Sequence, residues 1–142
     1  MRSIRSVTRA DRLATVYTRF ALASAFLSAV AARFGLWDDR PDAFTQFVSY
    51  TGEVLSFMPR STIPFFAVAA TLAETTLSIL LIAGFRLGWA AWASAVLLAF
   101  FAISMAISFG IKSPLDVSVF SASAAALFLA RSSAPALPVH DD

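Results

Sequence analysis

The sequence predicts an all-α membrane protein: a four-transmembrane-helix bundle with an interfacial amphipathic helix between helices 1 and 2. Three observations carry that prediction. The 142-residue chain is 58% hydrophobic and 14% charged, a balance well outside that of soluble domains. Its apolar residues gather in four runs, residues 17–36, 63–83, 87–109 and 115–130, and the first three reach the roughly 20 residues that a span needs. The stretch between the first two runs is too polar to span and too long for a simple turn, yet it keeps helical periodicity.

Taken in order, residues 1–16 form a basic cytoplasmic segment with Arg2, Arg5, Arg9 and Arg12. Arginines just ahead of a span orient it and contact anionic lipid, which accounts for them better than a nucleic-acid arm does. Phe20 to Val30 resembles the apolar core of a signal peptide, and Ala29-Val30-Ala31 has the small-x-small form of a cleavage site. The basic region is long, however, and the apolar run continues to Leu36, so a retained helix is expected. Arg19, Phe26 and Arg33 fall at heptad spacing on nearly one face of that helix. Each arginine is close to an end, where snorkelling accounts for it. Tyr17, Trp37, Trp89 and Trp92 fall near the expected membrane surfaces as an aromatic belt.

Pro41 can open the surface helix, expected at 41–58. Phe44, Phe47, Val48, Thr51, Val54, Leu55 and Met58 line one side of it, and Asp42, Gln46, Ser49 and Glu53 line the other. The second span follows Pro59, with Ser61 or Thr62 as cap and Pro64 in its first turn. Small residues such as Ala91, Ser94, Ala95 and Ala102 let the third span approach its neighbours closely. Ser113 as N-cap, Pro114 at N1 and Asp116 at N3 would open the fourth, which is short for a span. Residues 17–131 thus make the membrane domain. Residues 132–142, rich in Ser and Pro and holding His140, are expected to be a disordered tail.

Charge sets the orientation. Arg86 lies between spans 2 and 3 and Arg131 follows span 4, whereas the other two connections mix Asp38, Asp39, Arg40, Asp42, Glu53 and Arg60, or Lys112 and Asp116. The excess of basic residues on cytoplasmic loops then puts both termini and the Arg86 turn inside.

Several chemistries are excluded. Cysteine is absent, so there is no disulfide, thiol nucleophile or thiolate metal site, and a lone tail histidine cannot complete a catalytic triad. Met1, Met58 and Met105 do not supply a ligand pair for haem. No Gly-rich phosphate loop follows a strand. The chain is therefore expected to lack a redox metal and a self-contained catalytic constellation, leaning away from an enzyme except as a subunit of an oxidoreductase complex.

The residue that most demands explanation is Glu74. It sits inside the second apolar run, roughly 15 Å by helix rise from either end. An ionisable group at such a depth marks a functional site by default, because it must face the bundle interior and find a partner. Thr71, Thr75 and Ser78 share its stripe, and a polar stripe should turn inward. On one reading Glu74 is a protonated carboxyl bonded to a Ser or Thr of a neighbouring helix. On the other it is a proton-accepting or ligand-binding group, with Thr71, Thr75, Ser78 and Arg33 around it. Arg19, Lys112 and Asp116 are candidate charged companions. Helix rise separates Arg33 from Glu74 vertically by about 10 Å, which makes direct pairing marginal and Asp116 the easier partner for Arg33.

Arg19 opening the first helix, Arg33 ending it, Ala73-Glu74 followed by an apolar run to Gly84 and Arg86, and a small-residue third helix together resemble the DoxX-like family of small four-helix bacterial membrane proteins. Arg33-Phe34-Gly35-Leu36-Trp37 and Ile111-Lys112-Ser113-Pro114-Leu115-Asp116 resemble one subgroup of it. Two departures are Ala31-Ala32, where the family often has Gly, and the longer amphipathic segment. The resemblance covers Arg19 to Ala130. It implies a multi-pass protein of the bacterial inner membrane, associated with quinone-linked oxidation or redox homeostasis. It also places Glu74 at the site, with Arg33 and Arg19 beside it.

The expected function is a membrane subunit or quinone/lipid-like ligand binder linked to a redox system. Its partners would be the lipid bilayer and a redox enzyme or a second copy of the chain, with no nucleic acid. The alternatives are a small proton-coupled exporter using Glu74, and a structural or assembly factor whose charges only set helix packing.

Overall fold

The computed structural model describes residues 7–133. Expectations for residues 1–6 and for the tail from residue 134, His140 included, lie outside the described residues. Among the described residues the chain is all helical: α1 (Arg9–Arg33), α2 (Ala43–Val54), α3 (Ile63–Ala83), α4 (Leu87–Phe109), α5 (Lys112–Asp116) and α6 (Val119–Ser132), with a 3-10 turn at Arg60–Thr62. Three helices are long and apolar enough to cross a membrane: α1, α3 with its preceding turn, and α4. The fourth apolar helix, α6, has 14 residues, which is roughly 21 Å against a hydrocarbon core of about 30 Å.

The first helix begins at Arg9, ahead of the expected Tyr17. Thr8 and Asp11 form a capping box: the Asp11 amide donates to Thr8 Oγ1 at 3.1 Å, and the Thr8 amide donates to Asp11 Oδ2 at 2.9 Å. A satisfied N-terminus lets the helix run through the basic segment, whose Arg and Leu are good helix formers. The helix also ends earlier, at Arg33. The Leu36 amide closes back on the Ala31 carbonyl and the Gly35 amide on Ala32, with Gly35 at φ +70°. Only glycine fits there, since a Cβ would lie 2.4 Å from the Arg40 carbonyl oxygen.

Two further starts differ from expectation. Thr62 holds the N-cap position of α3, as expected, but makes no capping hydrogen bond; its Oγ1 donates to the Pro59 carbonyl and the chain enters α3 through the 3-10 turn. The fourth apolar segment is two helices instead of one opened by Ser113 and Pro114. The Ser118 amide bonds to the Leu115 carbonyl, a tighter i to i+3 closure, and Ser118 adopts φ +57°, so α6 starts afresh at Val119. Pro114 is buried, which holds α5 against the bundle while α6 turns to run along α4.

The largest packing surfaces join α4 to α6 and α1 to α3. On α4, Ala90, Ala91, Ser94 and Ala95 are buried, and Ser123 of α6 donates to the Ala95 carbonyl at 2.8 Å. Small side chains on one helix allow that approach, and an interhelical hydroxyl adds direction where lipid offers no competing donor. The core joins Leu22, Ala23 and Phe26 of α1, Leu77 and Leu81 of α3, the α4 alanines, and Ala126, Leu129 and Ala130 of α6. Large apolar side chains such as Phe65, Leu72, Ile79, Trp89, Trp92, Ile103 and Ile107 point outward, as a lipid-facing shell requires.

The α2 helix lies across one end of the bundle, in contact with α1, α3 and α4. Ala43, Thr51 and Val54 are its buried residues, and its C-cap Leu55 is buried as well. Its far end is tied to α4, where Ser108 Oγ donates to the Val54 carbonyl at 2.6 Å and meets Ser56 Oγ at 2.8 Å.

Candidate ligand site

Antiparallel packing of α1 on α3 puts the two arginines of α1 at opposite ends of one interface. At one end Arg19 meets the last turn of α3. At the other, Arg33 Nη2 lies 2.8 Å from each oxygen of Glu74, donating to Oε1, while Nη1 donates to Thr71 Oγ1 at 3.0 Å. Thr71 passes its own proton to the Ala67 carbonyl, which frees its oxygen to accept from Arg33. Arg33 is 7% exposed and Glu74 2%. One face of the planar guanidinium lies against Phe47 of α2, with the ring centroid 3.9 Å from Cζ.

This pairing corrects the expectation that Arg33 would find Asp116. Vertical rise along two helices overstated the separation, because side chains lean toward their own helix N-terminus. In antiparallel neighbours Arg33 leans back into the bundle while Glu74 leans forward to meet it. Asp116 pairs with Lys112 instead, on the exposed surface of α5. Nor is Glu74 held by a neighbouring Ser or Thr: its partner is the guanidinium. Thr75 and Ser78 donate to the Thr71 and Glu74 carbonyls of their own helix. Among the described residues Arg19 joins no carboxylate, and it donates to the Leu81 and Ile82 carbonyls, each at 2.9 Å.

Arg33 and Glu74 together form part of the wall of a cavity of about 580 Å³. The rest of that wall is almost entirely apolar: Phe26 from α1, Phe47 and Val54 from α2, Phe66 and Ala70 from α3, Phe101 and Met105 from α4, with Ala122 from α6. Its volume falls in the range of sites that enclose a ligand the size of a cofactor. Two hydroxyls accompany the ion pair. Thr51 is engaged with the Phe47 carbonyl. The Tyr50 phenol is pushed above its ordinary value by burial and then by the charge of Glu53, so it stays a neutral donor and acceptor. One polar atom is left over: Glu74 Oε2 is buried and has no donor in hydrogen-bonding alignment, although Arg33 is close.

Of the residues singled out in the sequence, the structure thus brings Glu74, Arg33 and Thr71 together and leaves Arg19, Lys112 and Asp116 elsewhere. Thr75 and Ser78 remain on the α3 stripe but turn onto backbone. Phe47 was legible only as a member of an amphipathic face and Tyr50 was not singled out, since nothing in their spacing says that α2 folds over Glu74. Among the described residues no three His, Cys, Asp or Glu side chains converge to hold a metal ion.

Fold and site define a helical membrane protein with an ion-pair-anchored apolar cavity beneath a crossing helix. The chain belongs to the family of the methylamine utilisation protein MauE, whose family model matches residues 11–118. That agrees with the membrane class expected from the motifs, while the family shown is MauE and not the DoxX-like group. No curated protein and no solved structure gives a match. The matched region runs from the first turn of α1 past the end of α5 and hence includes Arg33, Phe47, Thr71 and Glu74.

Proposed function

We propose that the protein is the membrane component of a redox system and binds a quinone-like or lipid-like ligand in the cavity, with the Arg33–Glu74 pair as polar anchor and no redox metal of its own. The MauE family is a membrane family linked to methylamine dehydrogenase maturation and a redox system, which supports the redox association. The observation that carries the ligand reading is the cavity itself. An apolar cavity with one buried, hydrogen-bonding ion pair in its wall matches a molecule with an apolar body and a compact polar head. In this reading α6 completes a four-span bundle in the bacterial inner membrane, with both termini cytoplasmic, and α2 lies at the opposite surface.

The exporter reading ranks second. A carboxylate that exchanges a proton for a cation would first have to leave a guanidinium 2.8 Å away, and that separation is costly in a medium of low dielectric constant. The assembly-factor reading needs only the ion pair and leaves the cavity without a role.

The test is purification from native membranes, followed by organic extraction and mass spectrometry of bound small molecules, with co-purifying proteins identified in parallel. A stoichiometric quinone or amphiphile, lost in Arg33→Met/Glu74→Leu, supports the proposal. Protein that carries neither such a ligand nor a redox partner sinks it.

A further inference from the structure

The wall of the cavity is not equally closed on all sides. On α3 every lining residue is buried or half-buried, Ala70, Ala73 and Glu74 among them. On α1 and at the α5–α6 junction the wall reaches the surface: Ala25 and Ala29 are exposed, and Val117 is 59% exposed. Tyr50 of α2, also in the wall, is 44% exposed. The break at Ser118 accounts for the gap. The buried residues of α6, Ala126, Leu129 and Ala130, lie in its second half and join the core with Leu22 and Ala23 of α1. Its first turns, with Val119 and Ala122, line the cavity instead. One unbroken helix over residues 112–132 would be roughly 31 Å long and could accompany α1 across the hydrocarbon core, whereas α6 alone covers about 21 Å.

Resting on the ligand reading above, we infer that the cavity is loaded sideways from the bilayer, through a mouth between α1 and the α5–α6 junction. Its ligand is then an amphiphile of the leaflet beneath α2 that keeps its tail in lipid. Ala25 and Ala29 lie about 12 Å and 6 Å along α1 from Arg33, at the depth of the acyl chains. Apart from the Tyr50 phenol the rim carries methyl and isopropyl groups, which offer water no hydrogen bond. Asp116, next to Val117, is spent on Lys112. A ligand arriving from water would have to pass α2, whose Ala43, Thr51 and Val54 are buried against the bundle. A cavity of about 580 Å³ has room for a ring head and the first part of a chain. The rest of a long tail leaves past Ala29 and Val117.

The chain has no cysteine, so Ala29→Cys gives a unique thiol at the mouth. A nitroxide attached there through a disulfide both reports its surroundings and narrows the passage. Leu72→Cys is the control: Leu72 is exposed on α3 beside a second hollow, which shares Ala73, Leu97 and Phe100 with the cavity wall. The full chain is placed in nanodiscs with a decyl-tailed benzoquinone as probe. The nitroxide at position 29 is expected to be accessible to lipid-dissolved oxygen and not to a water-soluble nickel chelate. Exchange of bound probe should slow by about tenfold or more, a barrier increase of about 1.4 kcal/mol. It should recover once the disulfide is reduced and the reductant removed, and the label at position 72 should leave it unchanged. Val117→Cys, on the opposite and well-exposed edge, gives the same exchange readout where a label on α1 disturbs folding. Access of the nickel chelate to position 29, undiminished exchange with the mouth labelled, or slowing from position 72 alone overturns the inference and leaves the ligand-binding function standing. Failure of the unmodified protein to bind the probe overturns that function, and the inference with it.

Discussion

Arg19 and Arg33 are the same residue type on nearly the same face of the same helix, and they do different things. Arg19 reaches the end of α3 and donates to the Leu81 and Ile82 carbonyls, two of the groups that every helix C-terminus leaves without an intrahelical partner. Gly84 makes room for it, because a Cβ there would sit 2.7 Å from Arg19 Nη2. That end is a cap, satisfied by backbone alone. Arg33 meets a carboxyl side chain inside the bundle, beside a cavity, with Phe47 over its ring-facing side. An arginine opposite backbone dipoles stabilises a helix end; an arginine opposite a buried carboxylate holds a polar site that nothing in the packing of α1 on α3 requires.

The difference can be broken most forcefully at Arg33. Arg33→Met leaves Glu74 buried without its partner and should cost about 3–5 kcal/mol in reversible unfolding followed in micelles. Arg33→Met/Glu74→Leu should recover most of that loss, because an apolar pair of similar volume replaces a desolvated one, and yet lose bound ligand. Recovery of both stability and ligand would reduce the pair to packing. Arg19→Ala should cost less, about 1–3 kcal/mol for two charged hydrogen bonds to carbonyls, and leave ligand affinity as it was. A change in affinity comparable to that of Arg33→Met would erase the distinction between the two ends.

Phe47→Leu sharpens the comparison from the α2 side. Loss of the ring over the guanidinium should destabilise by about 1 kcal/mol in the same unfolding measurement. Coupling to Arg33→Met in a double-mutant cycle should be absent with Arg19→Ala. Lys112→Ala should change stability by less than about 0.5 kcal/mol, since Lys112 and Asp116 pair in the open. A spectroscopic titration completes the series. In the difference between wild type and Tyr50→Phe, phenolate absorbance should appear only above the ordinary value of 10.0, because burial first and Glu53 second favour the neutral phenol.

Much of this architecture is written in the order of residue types. The runs 63–83 and 87–109 are helices α3 and α4, because uninterrupted apolar residues in lipid have no way to satisfy their backbone except within the helix. Glu74 stands out for the same reason, as the one carboxylate far from either end of its run. Less was legible at the ends of elements, where local hydrogen bonds decide. The Thr8–Asp11 box extends α1, the left-handed Ser118 divides the last segment, and Thr62 prefers the Pro59 carbonyl to the helix amides.

By itself, then, the sequence determined an all-helical membrane class, the lipid-facing character of its long helices and the presence of one buried acid on α3, since these follow from hydropathy and helical period. Tertiary structure alone decided which base that acid meets. Antiparallel packing lets Arg33 and Glu74 lean toward each other while Arg19 is carried to the far end, and α2 brings Phe47 and Tyr50 over the cavity. Side-chain direction and the crossing of non-consecutive helices set those contacts, and neither is encoded in spacing along a single helix.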